Sequence, residues 1–407
     1  MNKFYKKLIT IILNAKDELV LIIKDPAVIL IFVIANMVYP ILYSLAYNKE
    51  QIKDVELAVV DLDKSATSRQ IMRMLDATEG VKIDKEQNSL EEAKELFYKS
   101  TVNGIVLIPK NFEKDVFSNT QSALSIYADA SYFLIYKQIY ASTVQAYQTF
   151  AAGIQVKKYM AKGLQYQAAI QAINPVNVKT VELYNPASSY GSFVMPSIII
   201  VILQQTLLIG IGILGGTRKE IQRYNSLSDL DTDHKTIIPF ILGKALAYFI
   251  TFIFIGIFTL VWIHYWFNYP DKARYLDVLA IYVPFILANI FLGLAVSVFF
   301  KHRENAMLFM VFTSIPVVFL SGATWPVEAI PPILQKLAYI SPASFMVPAY
   351  QRVRTMGVDL IHVRQEIYAM LIQSVVYFVL AYFAFKHMTH FLLKREIKRN
   401  SKLITDK

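Results

Sequence analysis

Apolar positions along the chain gather in six runs near Pro26–Tyr47, Ser192–Leu214, Ile237–Phe267, Leu276–Phe300, Ala306–Trp325 and Glu366–His387. A helical span needs roughly 20 apolar residues, and a transmembrane barrel would instead show short alternating segments. The pattern predicts a polytopic α-helical membrane protein with six transmembrane helices. Ahead of the first run, Phe4, Leu8, Ile11, Ile12, Ala15, Leu19, Ile22 and Ile23 share one helical face and lysines occupy the other. Residues 1–25 therefore read as an amphipathic helix lying in the cytoplasmic membrane interface, with a short helix packed on the protein as the alternative. Lys16, Asp17 and Glu18 interrupt its apolar residues and no small-residue cleavage site follows, unlike a signal peptide. Asp25-Pro26 caps and starts the first span, 26–47, and Pro40 is expected to kink it.

Residues 48–190 follow a different pattern. VELAVVDLD (Val55–Asp63), GIVLIP (Gly104–Pro109) and Ala123–Ala128 read as strands, and Ser65–Thr78 and Ser89–Tyr98 as helices. Ser89 with Glu92 three residues on suits a helix cap. This alternation predicts an inserted extracytoplasmic α/β domain between spans 1 and 2. A long helix, about 60 Å at 1.5 Å per residue, should run over Tyr132–Ile173 with a break near Gly153. Residues 191–390 hold spans 2–6, and 391–407 form a basic cytoplasmic tail.

The net charge of +10 changes this picture only through its distribution. From Tyr47 to Tyr190 there are 16 Lys+Arg and 16 Asp+Glu, so the insert is neutral and a nucleic-acid partner is disfavoured. The excess lies beside the apolar runs: Lys3, Lys6, Lys7, Lys16 and Lys24; Arg218, Lys219, Arg223 and Lys235; Lys301 and Arg303; Lys394, Arg395, Lys398, Arg399 and Lys402. By the positive-inside rule those regions and both termini are cytoplasmic, and the insert and the segment after the fifth run lie outside. There are no cysteines, so disulfides, thiolate metal sites and Cys nucleophiles are excluded.

Candidate chemistry is sparse. No HExxH, GxSxG or G-x-x-x-x-G-K-[ST] occurs, so neither catalysis nor ATP binding by that loop is expected of this chain. Asp61 and Asp63 read as strand-end carboxylates rather than a cation site, and the six histidines have no ligand spacing. No Asp or Glu lies deep in a span, which disfavours an ion-driven carrier. Lys244 reads as a snorkelling anchor near the cytoplasmic end of the third span. Gln204 and Gln205 sit mid-span, where an amide either bonds a neighbouring helix or lines a polar path for substrate. If ATP supplies the energy, a separate subunit must hydrolyse it. The loop 216–236, with GTRKEIQRYNSLSDLDTD over Gly216–Asp233, is the cytoplasmic loop long enough to dock one.

SGATWPVEAIPP (Ser321–Pro332) follows the fifth run with three prolines and a tryptophan. Together with ELYNPAS (Glu182–Ser188), Phe193 and Pro196, VVDLDKSATS (Val59–Ser68), VLIPKNF (Val106–Phe112) and LAYISPASF (Leu337–Phe345), it resembles the permease subunits of ABC-2 type ABC exporters that carry a large extracytoplasmic domain. The resemblance covers nearly the whole chain. It implies an outer re-entrant segment over 321–345, with Ser321, Gly322, Trp325, Pro326, Pro331 and Pro342 closing the outer end of the path. Pro326, Pro331 and Pro332 break the helix, and Trp325 and Tyr339 suit the headgroup level.

The family often carries a REKExGT run after its second span; here Gly216-Thr217 come first and Arg218, Lys219 and Glu220 follow. By position, Thr217, Arg218, Lys219, Glu220 and Arg223 are the expected ATPase-coupling residues. The implied protein is the permease of an exporter in a bacterial inner membrane, not itself an enzyme, with ATP bound by its partner subunit. It would move a drug-like or lipid-like substrate. The partners implied are ABC ATPase subunits, a second permease chain, a candidate periplasmic adaptor and membrane lipid. The rival reading is a membrane-anchored envelope assembly or signalling protein without transport. A lipid-modifying enzyme is disfavoured because no paired catalytic residues lie in the spans.

Overall fold

The computed structural model describes residues 3–47, 52–118, 120–176, 178–179, 181–185, 189–220 and 234–405, with backbone alone for 3–4, 234–236 and 391–405. The chain divides into two compact units, Gln51–Val181 and a second made of Met1–Glu50 with Glu182–Lys407.

The smaller unit is an α/β fold around a four-stranded sheet of order β2-β1-β3-β4. Strand β1 (Val55–Asp61) runs parallel to both β2 (Val81–Gln87) and β3 (Gly104–Ile108), while β4 (Ser125–Ala128) is antiparallel to β3. The apolar run of β1 is buried on both faces, as a central parallel strand requires. Leu57 and Val59 pack with Ile71, Leu75, Phe112 and Ile139, whereas Ala58 and Val60 pack with Ala93, Val102 and Ile105. Helices α2 (Ala66–Asp76) and α3 (Leu90–Tyr98) supply much of that cover. Ser65 and Ser89 cap them, accepting from the amides of Ser68 (2.9 Å) and Glu92 (3.2 Å). Asp61 and Asp63 hold turns: Asp61 accepts from the amides of Asp63 and Lys64 and from the Ser68 hydroxyl, and Asp63 accepts from the Glu113 amide.

Two expectations for this unit need correction. The sequence pattern did not reveal β2, because VKIDKEQ is an edge strand with mostly outward, charged side chains and so shows no apolar run. The long helix does not break at Gly153. After the short α4 (Phe112–Phe117), α5 runs unbroken over Phe133–Ala161, about 44 Å at 1.5 Å per residue, and ends before Gly163. Gly163 takes φ +91°, a left-handed conformation that suits glycine alone, and α6 (Tyr166–Ile173) follows.

Among the described residues, the larger unit holds α1 (Lys3–Lys24) and six helices long and apolar enough to cross a membrane. These are span 1 (Pro26–Ala46), span 2 (Tyr190–Glu220), span 3 (Ile237–Trp266), span 4 (Tyr275–Ser297), span 5 (Arg303–Leu320) and span 6 (Leu360–His390). Asp25 caps span 1, its Oδ1 accepting from Ala27 (3.0 Å) and Val28 (3.3 Å) with Pro26 in the first turn. The irregularity in span 1 lies a turn before Pro40, where Leu30–Ala35 widens into a π-helix. The Asn36 amide donates to the Ile31 and Phe32 carbonyls there and bonds Thr206 of span 2 at 2.8 Å. Pro40 itself sits within a continuous helix, Asn36–Ala46.

Span 2 is buried along most of its length and packs on spans 1, 4 and 5, whereas span 5 is largely exposed. Glycines permit the close approach. A Cβ on Gly216 would stand 2.6 Å from the Arg303 amide nitrogen, so the last turn of span 2 lies directly against the start of span 5. Gly243 plays the same part for α1, where a Cβ would meet the Ile11 carbonyl at 2.7 Å.

Candidate functional site

Polar side chains in the larger unit concentrate at two places along span 2. The first is the tip of a helical hairpin. After span 5, Ser321 accepts from the Ala323 amide, and Gly322 turns with φ +83°. Pro326 precedes a short 3-10 turn (Val327–Ala329) and Pro331 precedes α7 (Pro332–Ala338). Pro342 then opens α8 (Ala343–Tyr350). The turn between α7 and α8 leaves backbone groups without helical partners. Gln204 accepts from the Ala343 amide at 2.8 Å and donates to the Ser341 hydroxyl at 2.7 Å. From span 6, Gln373 donates to the Tyr339 carbonyl (2.7 Å) and the Tyr377 hydroxyl to the Ile340 carbonyl (2.5 Å).

Because Gln204 lies near the midpoint of the 31-residue span 2, the hairpin tip reaches halfway along that helix. The chain then runs back, and Gln351 donates to the Ser197 hydroxyl at 2.6 Å, two turns nearer the start of span 2. Side chains from two helices thus satisfy irregular backbone beside the middle of span 2. Tyr339 lies at this tip, its carbonyl held by Gln373 and the nearby Ser341 hydroxyl by Gln204 of span 2. Trp325 is exposed at the start of the segment, and Ile333 and Leu337 of α7 are exposed as well.

The second place is the far end of span 2, where α1 meets it. Glu18 projects from the face of α1 that carries buried Ala15 and Ile22, and is itself 2% exposed. Its carboxylate accepts from Lys244 of span 3 at 3.0 Å, from the Tyr248 hydroxyl, and from the Arg218 guanidinium of span 2. Lys244 is equally buried, with the Phe240 ring centroid 4.8 Å from Nζ. Lys219 donates to the Val298 carbonyl, and Glu220 accepts from the Arg303 amide at 2.9 Å with the His302 ring 3.4 Å away. Arg303 also reaches Asp25 at 3.3 Å.

The residues expected to couple to an ATPase therefore lie mostly within the helix and not beyond it. Thr217, Arg218, Lys219 and Glu220 form the last described turn of span 2, because Gly215 and Gly216 continue the helix by fitting against spans 4 and 5. The hydroxyl of Thr217 is buried without a hydrogen-bond partner among the described residues. Arg223 and the rest of 221–233 lie outside the described residues. Gln204 and Gln205 part company: Gln204 holds the hairpin, while both amide atoms of buried Gln205 lack a partner among the described residues. Lys244 is not a snorkelling anchor, since Glu18 gives it a buried counter-charge and no need to reach water.

Sequence reasoning missed Glu18, Tyr248, Asn36 and the hairpin-tip donors Gln373 and Tyr377. It also missed a fully buried Arg354, paired with Asp271 at 2.7 Å, and buried His264, 3.2 Å from the Tyr350 hydroxyl. One signal was available for Glu18: it falls between Ala15 and Ile22 on the apolar face of its helix, where a solvated carboxylate has no place.

A family model described as "ABC-2 family transporter protein" matches residues 26–383, from the start of span 1 into span 6. The chain belongs to the ABC-2 transporter family. It is also similar to ABC transporter G family member 20 of Dictyostelium discoideum, at 24% identity over 362 residues. That match covers 88% of this chain and 48% of the relative, so this ABC-2 protein spans about half the length of the curated relative it matches. Its six candidate spans agree with a multi-pass membrane component. In an ABC-2 protein the two polar places take on distinct meanings: one fixes a folded-back hairpin at mid-helix, the other ties the first helix to spans 2 and 3.

Proposed function

We propose that this chain is the membrane-spanning permease of an ATP-driven exporter that moves a hydrophobic or amphipathic, drug-like or lipid-like substrate out of the cell. The observation that carries the reading is the hairpin Pro332–Tyr350 pinned to the middle of span 2 within an ABC-2 chain. Such a hairpin closes one end of a path while leaving the other to respond to a partner.

In this reading both termini are cytoplasmic in a bacterial inner membrane and the α/β unit is extracytoplasmic, where it is available to a periplasmic adaptor. Two permease chains enclose the path and two ATPase subunits bind below. The last turn of span 2 and residues 221–233 receive the ATPase, and ATP binding biases the spans between two states. Gln205, an unpaired buried amide, is the residue offered to the substrate path. Apolar, aromatic-rich spans favour an apolar cargo.

The test is capture of the tagged chain from native membranes, with mass spectrometry of what accompanies it, repeated after replacing 221–233 with a flexible linker. A co-purifying Walker-type ATPase that is lost with the linker supports the reading. Absence of any ATPase in several mild detergents overturns it in favour of an assembly or signalling role. Because the chain has no cysteine, orientation is read separately: Lys99→Cys should label from outside and Ser401→Cys from inside alone.

A further inference from the structure

At the Glu18 cluster, one carboxylate faces two cations, Lys244 and Arg218, with Tyr248 donating to its other oxygen. Ala15 and Ile22 of α1 and Ile241 and Ala245 of span 3 are buried in one apolar cluster. The two cations are not equivalent. Glu18 and Lys244 are both 2% exposed and form a neutral pair by themselves. Arg218 adds the third charge and is the less buried of the two cations, its side chain 12% exposed. Removing either cation leaves Glu18 with one counter-charge: without Arg218 it is Lys244 of span 3, and without Lys244 it is Arg218 of span 2. Span 3 is further held to α1 by shape at Gly243, and among the described residues Arg218–Glu18 is the ion pair that joins α1 to span 2.

We propose that the Arg218–Glu18 contact is a releasable latch between the last turn of span 2 and a body formed by α1 and span 3. Lys244 keeps the carboxylate in place when Arg218 departs. Arg218 stands on the last described turn of span 2, with Lys219 and Glu220 between it and residues 221–233. Engaged, the latch makes α1, span 2 and span 3 move together; released, the last turn of span 2 moves with the turn between spans 4 and 5 to which Lys219 and Glu220 hold it. The nucleotide-driven part of this inference rests on the exporter reading, but the latch itself does not.

The test uses the full chain in lipid nanodiscs, with nitroxides at Lys16→Cys on α1 and Lys301→Cys in the turn that Lys219 and Glu220 hold to span 2. Pulsed electron resonance gives their distance distribution. Without nucleotide, Arg218→Gln should raise the longer-distance population at least five-fold, with an unchanged melting temperature, and Arg218→Lys should largely restore the short one. Identical distributions for the parent and Arg218→Gln overturn the latch. With the co-purified ATPase and ATP plus vanadate, the parent should shift toward the Arg218→Gln distribution, and Arg218→Gln should shift no further. An equal nucleotide shift in both overturns release of this contact as the moving step. If Arg218→Gln opens the pair but no ATPase co-purifies, the latch stands and the exporter reading falls.

Discussion

Span 2 is gripped at its middle by a neutral amide and at one end by a carboxylate between two cations. Gln204 makes two hydrogen bonds of ordinary length to the hairpin tip, with no net charge to balance. Glu18 sits in a site as dry as Gln204's, yet every contact it makes is with a charged or strongly polar donor. The neutral grip loses little when one partner goes, because an amide leaves behind only an unpaired dipole. In the ionic grip, loss of either cation leaves the carboxylate one counter-charge, on span 3 or on span 2. One grip holds a fixed element and the other suits an element with two positions.

Substitutions can break this comparison in order of expected effect. Lys244→Ala leaves the Glu18 carboxylate dependent on Arg218 alone. It should lower stability by about 3 kcal/mol, the upper end for a lost hydrogen bond to a charged group, seen as a lower melting temperature in detergent. Gln204→Leu should cost about 1–2 kcal/mol, because the Ala343 amide is left unpaired, and should raise proteolysis near Ser341. Tyr377→Phe removes one of the bonds at the hairpin tip and should cost about 1 kcal/mol. Gln205→Leu breaks no hydrogen bond, so melting should move by less than about 0.5 kcal/mol equivalent, while substrate-stimulated ATP hydrolysis of the assembled transporter changes. A Gln204→Leu loss as large as that of Lys244→Ala would mean the two grips do not differ in kind.

The spans were legible because an apolar run of roughly 20 residues matches the thickness of a bilayer and little else. The central strands were legible because β1 and β3 are apolar on both faces. The edge strand β2 was not, since a charged edge carries no periodic signal. The hairpin was legible as a break through Pro326, Pro331 and Pro332, but its depth was not. That depth depends on Gln204, Gln373 and Tyr377 converging from helices more than 100 residues apart in sequence. The Glu18 cluster was obscured because Arg218 and Lys244 sit where a solvated charge is expected, at a helix end and near a helix start, and Glu18 follows Lys16 and Asp17 in the sequence. Only their convergence makes them one site.

The ion pairs of Glu18 also set an order of biosynthesis. Its partners Arg218 and Lys244 lie 200 and 226 residues later in the chain. At typical translation speeds of about 5–20 residues per second, Glu18 waits roughly 10–45 s for them. During that interval the nascent helix must keep its carboxylate hydrated, and its lysines and outward apolar side chains let it rest at the membrane surface meanwhile. Docking of α1 is therefore completed only after the start of the third span has left the ribosome.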